Sequence, residues 1–306
     1  MARIFIDGSA GTTGLRIFDR IAQRPELELI RLPESLRKAE AARRDALNRA
    51  DIAFLCLPDD AAAAAAGWVE NPDTVLIDTS TAHRTAPGWV YGFPELVGAE
   101  RVARGKRIAN PGCHASGFIA LVAPLVQAGL VDADAALTCV SLTGYSGGGK
   151  KMIAAYESPD RSPLLGAPRQ YGLTQQHKHL REMTAQTGLT ASPVFCPIVA
   201  DFYSGMEVTV PLTAAQLHGT VADIARVYAD RYRGPVVRWA ESATEDGFLS
   251  AAALTGRDGM EISIHGNADR VLLVARYDNL GKGASGAAIQ NMNLVLGVDE
   301  TTGLVL

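Results

Sequence analysis

The sequence predicts an α/β protein: a Rossmann-type, doubly wound parallel sheet followed by an α+β domain with a mixed or antiparallel sheet. Three observations carry this reading. A strand runs straight into a glycine-rich turn and a helix at the N-terminus. Apolar strand runs then alternate with helical segments as far as residue 109. Beyond that point strands follow one another with few helices between them.

Arg3-Ile4-Phe5-Ile6-Asp7 is the first strand candidate. Gly8-Ser9-Ala10-Gly11-Thr12-Thr13-Gly14 follows at once, then a helical run over 15–21. Glycines there permit a tight turn and close approach to phosphate oxygens, and the helix N-terminus supplies N–H donors. The spacing is GxxGxxG and not the commoner GxGxxG, so the strand-before, helix-after context carries the cofactor reading. A ligand-free β–α turn is the alternative. Residues 27–31 form the second strand. Its end carries Arg31, with Ser35, Arg37 and Lys38 close behind, where NAD-specific folds usually place an acid. Those groups suit a 2′-phosphate, so NADP is favoured over NAD, although Arg31 could equally be a surface charge.

Residues 51–57 are a near-continuous apolar run, as a buried parallel strand requires. Pro58 ends it, Asp59 and Asp60 are expected to cap the next helix, and the alanines at 61–66 favour that helix. Residues 74–78 are the next strand, and 107–109 a short one. The second domain offers strands over 138–142, 194–199, 206–210, 260–264 and 271–276, and a helix over 222–231. A long Pro-, Gly- and Arg-rich stretch spans 158–172, and residues 283–296 read as a small-residue-rich helix.

Of the 306 residues 47% are apolar, ample for a large core, and 20% are charged with a formal net charge of −4. That balance argues against a nucleic-acid binder. Arg37, Arg43, Arg44 and Arg49 interleave with Glu34, Glu40 and Asp45, as on a solvated helix. Cys56, Cys113, Cys139 and Cys196 are far apart, so neither a zinc site nor a disulfide framework is suggested. The chain opens on a strand without a signal-like segment and has no run of transmembrane length. The expectation is a cytoplasmic protein that acts on a small molecule.

The chemistry concentrates at Asn110-Pro111-Gly112-Cys113-His114-Ala115-Ser116-Gly117. Pro and Gly break a strand, and Ser and Gly open a helix, so Cys113 sits at or near a helix N-terminus. Unpaired N–H groups and the helix dipole favour a thiolate there. A small buried thiol after a turn would give the same pattern. His177 and His179 stand two apart; if a helix begins there, only one can face the site. Either could serve as general base and acid, and a surface pair or a cap is the alternative. No third ligand stands at metal-site spacing. Arg84 leaves the end of a parallel strand, the edge where α/β sheets bind ligands, and could clamp a phosphate or carboxylate.

The blocks GSAGTTG at 8–14, DTSTAHR at 78–84, NPGCHASG at 110–117, GYSGGGK at 144–150, QQHKH at 175–179 and NLGKGASGAAIQNMN at 279–293 together resemble the N-acetyl-γ-glutamyl-phosphate reductases of arginine biosynthesis, in their short form. The likeness runs along nearly the whole chain. Longer relatives carry Gly-Tyr where this chain has Thr12-Thr13, which fits the short form. The resemblance implies an NADP-binding domain of residues 1–112 and 281–306, with the last helix returning, and a catalytic domain of residues 113–280 like that of glyceraldehyde-phosphate-type dehydrogenases. It implies that Cys113 attacks the acyl phosphate, that phosphate leaves, and that NADPH reduces the resulting thioester. His179 or His177 would shuttle the proton, with His179 favoured. Gly8, Ser9, Ala10, Gly11, Thr12, Thr13, Gly14, Arg31, Ser35, Ser146, Gly147, Gly148, Asn279 and Lys282 would meet the cofactor. Arg84, Asn110 and Lys150 would meet the substrate. A homo-oligomer, dimer or tetramer, is expected. The competing readings are a reductase of aspartyl phosphate or an aminoadipate derivative, a non-enzymatic NADP sensor, and a cysteine hydrolase. The sensor leaves Cys113 without work, and the hydrolase does not explain the glycine-rich start.

Overall fold

The computed structural model describes residues 1–9, 11–241 and 243–306, and of Thr12 the backbone alone. Ala10 and the Thr12 side chain, both expected at the cofactor turn, lie outside the described residues. The chain divides into two units. One is Met1–Pro111 with Ala284–Leu304; the other is Gly112–Gly283 with Val305–Leu306. The sequence expectation ran the first domain through 306. Val305 and Leu306 instead join the second unit, because Val305 N–H donates to Asp258 Oδ2 at 2.9 Å and Asp258 N–H to Val305 O at 2.6 Å.

In the first unit β1 (Ala2–Asp7), α1 (Thr12–Ala22), β2 (Leu27–Ile30), α2 (Glu40–Arg49), β3 (Ile52–Leu55), α3 (Asp59–Gly67), β4 (Val75–Asp78), β5 (Val90–Tyr91), α4 (Pro94–Val97), α5 (Ala99–Ala103) and β6 (Arg107–Ala109) follow in order. The sheet order is β2-β1-β3-β4-β6-β5, and every pairing is parallel. Alternation explains why both faces are covered. Ile4, Ile6, Ile52, Phe54 and Ile77 pack with Ile17 and Ile21 of α1 on one face. Phe5, Ala53, Leu55 and Leu76 pack with Ala46 and Leu47 of α2 and Ala62 and Ala65 of α3 on the other. Asp59 departs from its expected capping role. It lies inside α3, after Pro58 at the N-cap, and accepts instead from Thr81 N at 2.8 Å and Thr81 Oγ1 at 2.5 Å.

The second unit contains α6 (Cys113–Gln127), β7 (Thr138–Gly144), α7 (Gly149–Glu157), β8 (Arg169–Gln170), α8 (His179–Thr187), β9 (Val194–Ala200), β10 (Met206–Thr213), α9 (Val221–Arg231), β11 (Val237–Trp239), β12 (Met260–Gly266) and β13 (Arg270–Tyr277). A π-helical turn, Gly281–Ser285, then leads into α10 (Gly286–Leu296), whose Ala288, Ile289 and Met292 join the first unit's core. The second sheet runs β11-β12-β13-β10-β7-β9-β8 and is mixed, with β11/β12 and β7/β9 parallel and the rest antiparallel. Inward residues such as Cys139, Phe195, Val208, Val210 and Leu273 are buried, and α6 packs on β10 and β13. The alternate residues Val140, Leu142, Cys196 and Ile198 face the other way and are half-buried.

Candidate active site

Cys113 is the first residue of α6, after Gly112 at the N-cap; the first turn holds no acid, and no side chain caps it. The dipole and the N–H groups of that turn favour negative charge on the sulfur. Three contacts from within the unit fix this turn. Gly112 N–H donates to Glu182 Oε1 at 2.7 Å. Tyr277 Oη–H donates to Cys113 O at 2.5 Å, and Tyr277 Oη accepts from Gly117 N–H at 3.0 Å. Gly283 comes so near that a Cβ there would lie 3.1 Å from Cys113 Cβ, tighter than side chains usually pack. Burial holds the Tyr277 phenol well above its usual range, so it remains a neutral clamp.

The two predicted histidines come together beside a third. α8 begins at His179, so His177 lies outside the helix and the expected divergence of the pair does not arise. Their ring centroids are 4.8 Å apart, and His114 lies 5.9 Å from His177 and 5.7 Å from His179. His177 Nδ1 accepts from His179 N–H at 3.2 Å. An accepting Nδ1 carries no proton, so the network assigns His177 as the neutral tautomer with hydrogen on Nε2. Burial, then the Lys178 charge, lowers its pKa in the same sense. His177 Nε2–H is thereby a donor. Glu182, one turn after His179 on α8, is buried.

Two of the other cysteines are of another kind. Cys56 follows β3, and burial pushes its thiol up to about 12. Cys139 lies in β7, and burial raises it further. Such thiols are poor nucleophiles at neutral pH.

The glycine turn of the first unit has the geometry of an anion cradle. Gly8 has φ +89°, and a Cβ there would sit 2.2 Å from Cys56 O; a Cβ on Gly14 would sit 2.5 Å from Gly8 O. Gly11 N–H donates to Gly8 O at 3.0 Å and Gly11 is the N-cap of α1, with Thr13 in the first turn. Beside the turn opens a cavity of about 770 Å³ whose lining includes Gly8, Ser9, Arg31, Ser35, Arg37 and Lys38. Arg31 lies over the Phe18 ring at 4.9 Å, and Arg37 pairs with Glu34 at 2.5 Å. Arg43 also lines this cavity. It is not the solvated residue expected from charge patterning, because it folds onto buried Asp7 at 2.9 Å and stacks over Trp68 at 4.9 Å.

Other predicted residues have structural partners. Arg84 is buried and donates to Asn110 O at 2.9 Å and Thr79 O at 3.0 Å, which fixes its cation at the carboxyl edge of the parallel sheet. The Asn110 amide donates to Ala284 O at 3.0 Å and accepts from Asn291 Nδ2 at 3.1 Å, a bracing role. Asn279 Nδ2 donates to Ser146 Oγ at 3.0 Å, and Asn279 Oδ1 accepts from Gly205 N–H at 2.9 Å. Lys282 is 1% exposed, whereas Gly147, Gly148 and Lys150 are exposed. Sequence reasoning missed Glu182, Tyr277, Tyr171 and Arg43. Only Glu182 gave a usable signal, its place one helical turn after His179. Among the described residues no His, Cys, Asp and Glu cluster suits a metal, and no helix is long and apolar enough to cross a membrane.

Known proteins share both units. Residues 3–104 match the family model described as semialdehyde dehydrogenase, NAD binding domain, and residues 113–279 the one described as semialdehyde dehydrogenase, dimerisation domain. Proteins named N-acetyl-gamma-glutamyl-phosphate reductase from Brucella ovis and Brucella canis are each 47% identical over 307 residues, covering 96% of this chain and 99% of theirs. Among solved structures, aspartate semialdehyde dehydrogenase II complexed with ASA from Vibrio cholerae has a TM-score of 0.73 at 15% identity, covering 97% of this chain and 98% of that one. Aspartate semialdehyde dehydrogenase with NADP from Candida albicans has a TM-score of 0.66 at 15% identity, covering 97% and 99%. At that identity the likeness speaks for the fold alone.

Proposed function

The chain belongs to the semialdehyde dehydrogenase family, among the N-acetyl-γ-glutamyl-phosphate reductases, and from that premise we propose that it reduces N-acetyl-γ-glutamyl phosphate to N-acetylglutamate γ-semialdehyde with NADPH, as a step of arginine biosynthesis. The substrate rests on the near full-length identity to relatives named for it. The chemistry rests on Cys113 at the start of α6 beside His177 and His179.

The Cys113 thiolate attacks the acyl carbon, and the C–O bond to phosphate breaks to leave a thioester. His179 is the proposed base that takes the thiol proton, and the Glu182 carboxylate on the same helix offsets the charge the imidazole then carries. His177, as an Nε2–H donor, orients a substrate oxygen. Arg84 is the proposed cation for phosphate. The residues of the first unit fit NADP: Gly8 and Gly14 leave room where a Cβ would clash, and Arg31, Ser35, Arg37 and Lys38 offer charge and a hydroxyl for a 2′-phosphate. When bound, the reduced nicotinamide supplies hydride. The thiohemiacetal on Cys113 then collapses, expelling the thiolate and freeing the aldehyde.

We also propose a homo-oligomer through the uncovered face of the second sheet, where Val140, Leu142, Cys196 and Ile198 are half-buried and which falls within the segment matched as a dimerisation domain. The decisive assay runs the reaction backwards. N-acetylglutamate semialdehyde, NADP and phosphate should together give NADPH absorbance, and omitting phosphate should abolish it. Turnover of aspartate semialdehyde in place of the N-acetyl compound would overturn the substrate.

A further inference from the structure

We infer that Ser141, His114 and Tyr171 form a directional hydrogen-bond chain that aims the Tyr171 phenol hydrogen at an oxygen of the acyl substrate, with His114 as its positioning residue; this rests on the function proposed above. His114 follows the nucleophile on α6, and its ring is buried against β7. Its Nδ1 lies 2.7 Å from Ser141 Oγ, and its Nε2 lies 2.6 Å from Tyr171 Oη. Both contacts are short enough to be full hydrogen bonds.

Proton counting sets the direction. Burial lowers the His114 pKa to about 3, so at neutral pH the ring carries one N–H and one lone pair. Ser141 is fully buried, and among the described residues its hydroxyl has His114 Nδ1 as its sole hydrogen-bond partner. Were Nδ1 the protonated nitrogen, the Ser141 hydrogen would be buried with no acceptor, a costly arrangement. Ser141 therefore donates to Nδ1, the ring proton sits on Nε2, and Nε2–H donates to the Tyr171 oxygen. That contact uses the phenol as acceptor and releases its own hydrogen for another partner.

The surroundings say what that partner is. Tyr171 is half-buried at the end of β8, held by its N–H to Pro197 O at 3.0 Å. Its ring lies 6.1 Å from that of His177. Burial and the charge of the Cys113 thiolate raise its pKa, so the phenol keeps its hydrogen when the nucleophile is ionised. A neutral O–H beside the His177 N–H makes a pair of donors, and an acyl group rich in carbonyl and carboxylate oxygens supplies the acceptors. A phenol that accepted from nothing could rotate its hydrogen freely; His114 removes that freedom.

Two measurements test this. Nitrogen-15 NMR of histidine-labelled protein should show His114 as the Nε2–H tautomer at pH 7. In the reverse assay Tyr171→Phe and His114→Asn should each lower kcat/KM roughly 10–100-fold, as for a lost hydrogen bond to a desolvated group. The double variant should lose no more than the worse single one. His114→Gln, whose amide reaches the Nε2 position, should recover most of what His114→Asn loses. Tyr171→Phe keeps the ring and removes one oxygen, so it decides the matter even where His114→Asn does not fold. Losses that multiply in the double variant, an Nδ1–H tautomer, or wild-type kcat/KM in Tyr171→Phe would each overturn the inference while the wild type stays active. An inactive wild type overturns the functional reading and the substrate assignment with it.

Discussion

Helices α1 and α6 start alike and then diverge. Each begins after a glycine N-cap without a side-chain cap, and neither has an acid in its first turn, a pattern that α7 shares, whereas α2, α3, α5 and α9 all have such an acid. An acid there would offset the helix dipole and compete with an external anion. The start of α1 adjoins a cavity lined by Arg31 and Lys38, as suits an anion that arrives from solvent. The start of α6 is braced from within its own unit by Glu182 and Tyr277, and its first residue is the thiol proposed as nucleophile. On the proposed mechanism the same backbone electrostatics would serve a dissociable ligand in one unit and a resident thiolate in the other.

The sharpest way to break this comparison is Cys113→Ser. It should lower turnover by about 10³-fold or more, because a serine hydroxyl at that helix start is hardly ionised. NADPH affinity, read by fluorescence titration, should stay near wild type. Retention of a large fraction of turnover would sink the covalent route. Next comes His179→Asn, which should cost roughly 10²–10⁴-fold in kcat and remove one limb of the pH–rate profile. His177→Asn should act mainly on KM, as its donor role requires. The reverse ranking would exchange the two roles.

At the α1 end the expected effects are smaller. Replacing Arg31, Arg37 or Lys38 by Ala should weaken NADPH more than NADH if that side chain meets the 2′-phosphate, by about 1.5–3 kcal/mol for a charge-assisted contact. Arg31 is the first choice, because Arg37 is already paired with Glu34. Equal weakening of both cofactors in all three variants would remove the assignment.

What the sequence disclosed follows from how local each feature is. The glycine turn and the cysteine at a helix start are contiguous, and strand-to-helix punctuation marks both. Parallel strands over 52–55 and 75–78 announced themselves as apolar runs. Long-range partners did not. Nothing in the spacing of Tyr277 foretells that its hydroxyl meets Cys113 O, and the Arg43–Asp7 pair looked like a solvated helix charge. The histidine pair was visible, but its placement was not, since two residues decided whether His177 lay inside α8. His114 stood in the most informative block of the chain, but nothing in that block indicated what its ring would meet. Its two hydrogen bonds, to Ser141 and Tyr171, come from segments remote in sequence.

The last contrast between the units concerns acid, and its effect is nil at pH 7. Burial holds His114 at about 3 in the folded chain, against 6.5 for the free side chain. Between those values the unfolded chain binds a proton that the folded chain does not. Stability therefore falls as pH drops below 6.5, by about 1.4 kcal/mol per pH unit for this residue, and levels off near 3. His177 and His265 are shifted in the same direction and add to the slope, and both lie in the second unit. The first unit holds only His83. Hydrogen exchange at pH 5 should accordingly rise in the second unit before the first. His114→Gln, which cannot titrate, should flatten the dependence of the urea midpoint between pH 7 and pH 5 by the equivalent of about one proton. An unchanged slope in that variant would mean that His114 is protonated in the folded protein. A doubly protonated ring has no lone pair for Ser141, so the direction of the Ser141–His114–Tyr171 chain would fall with it.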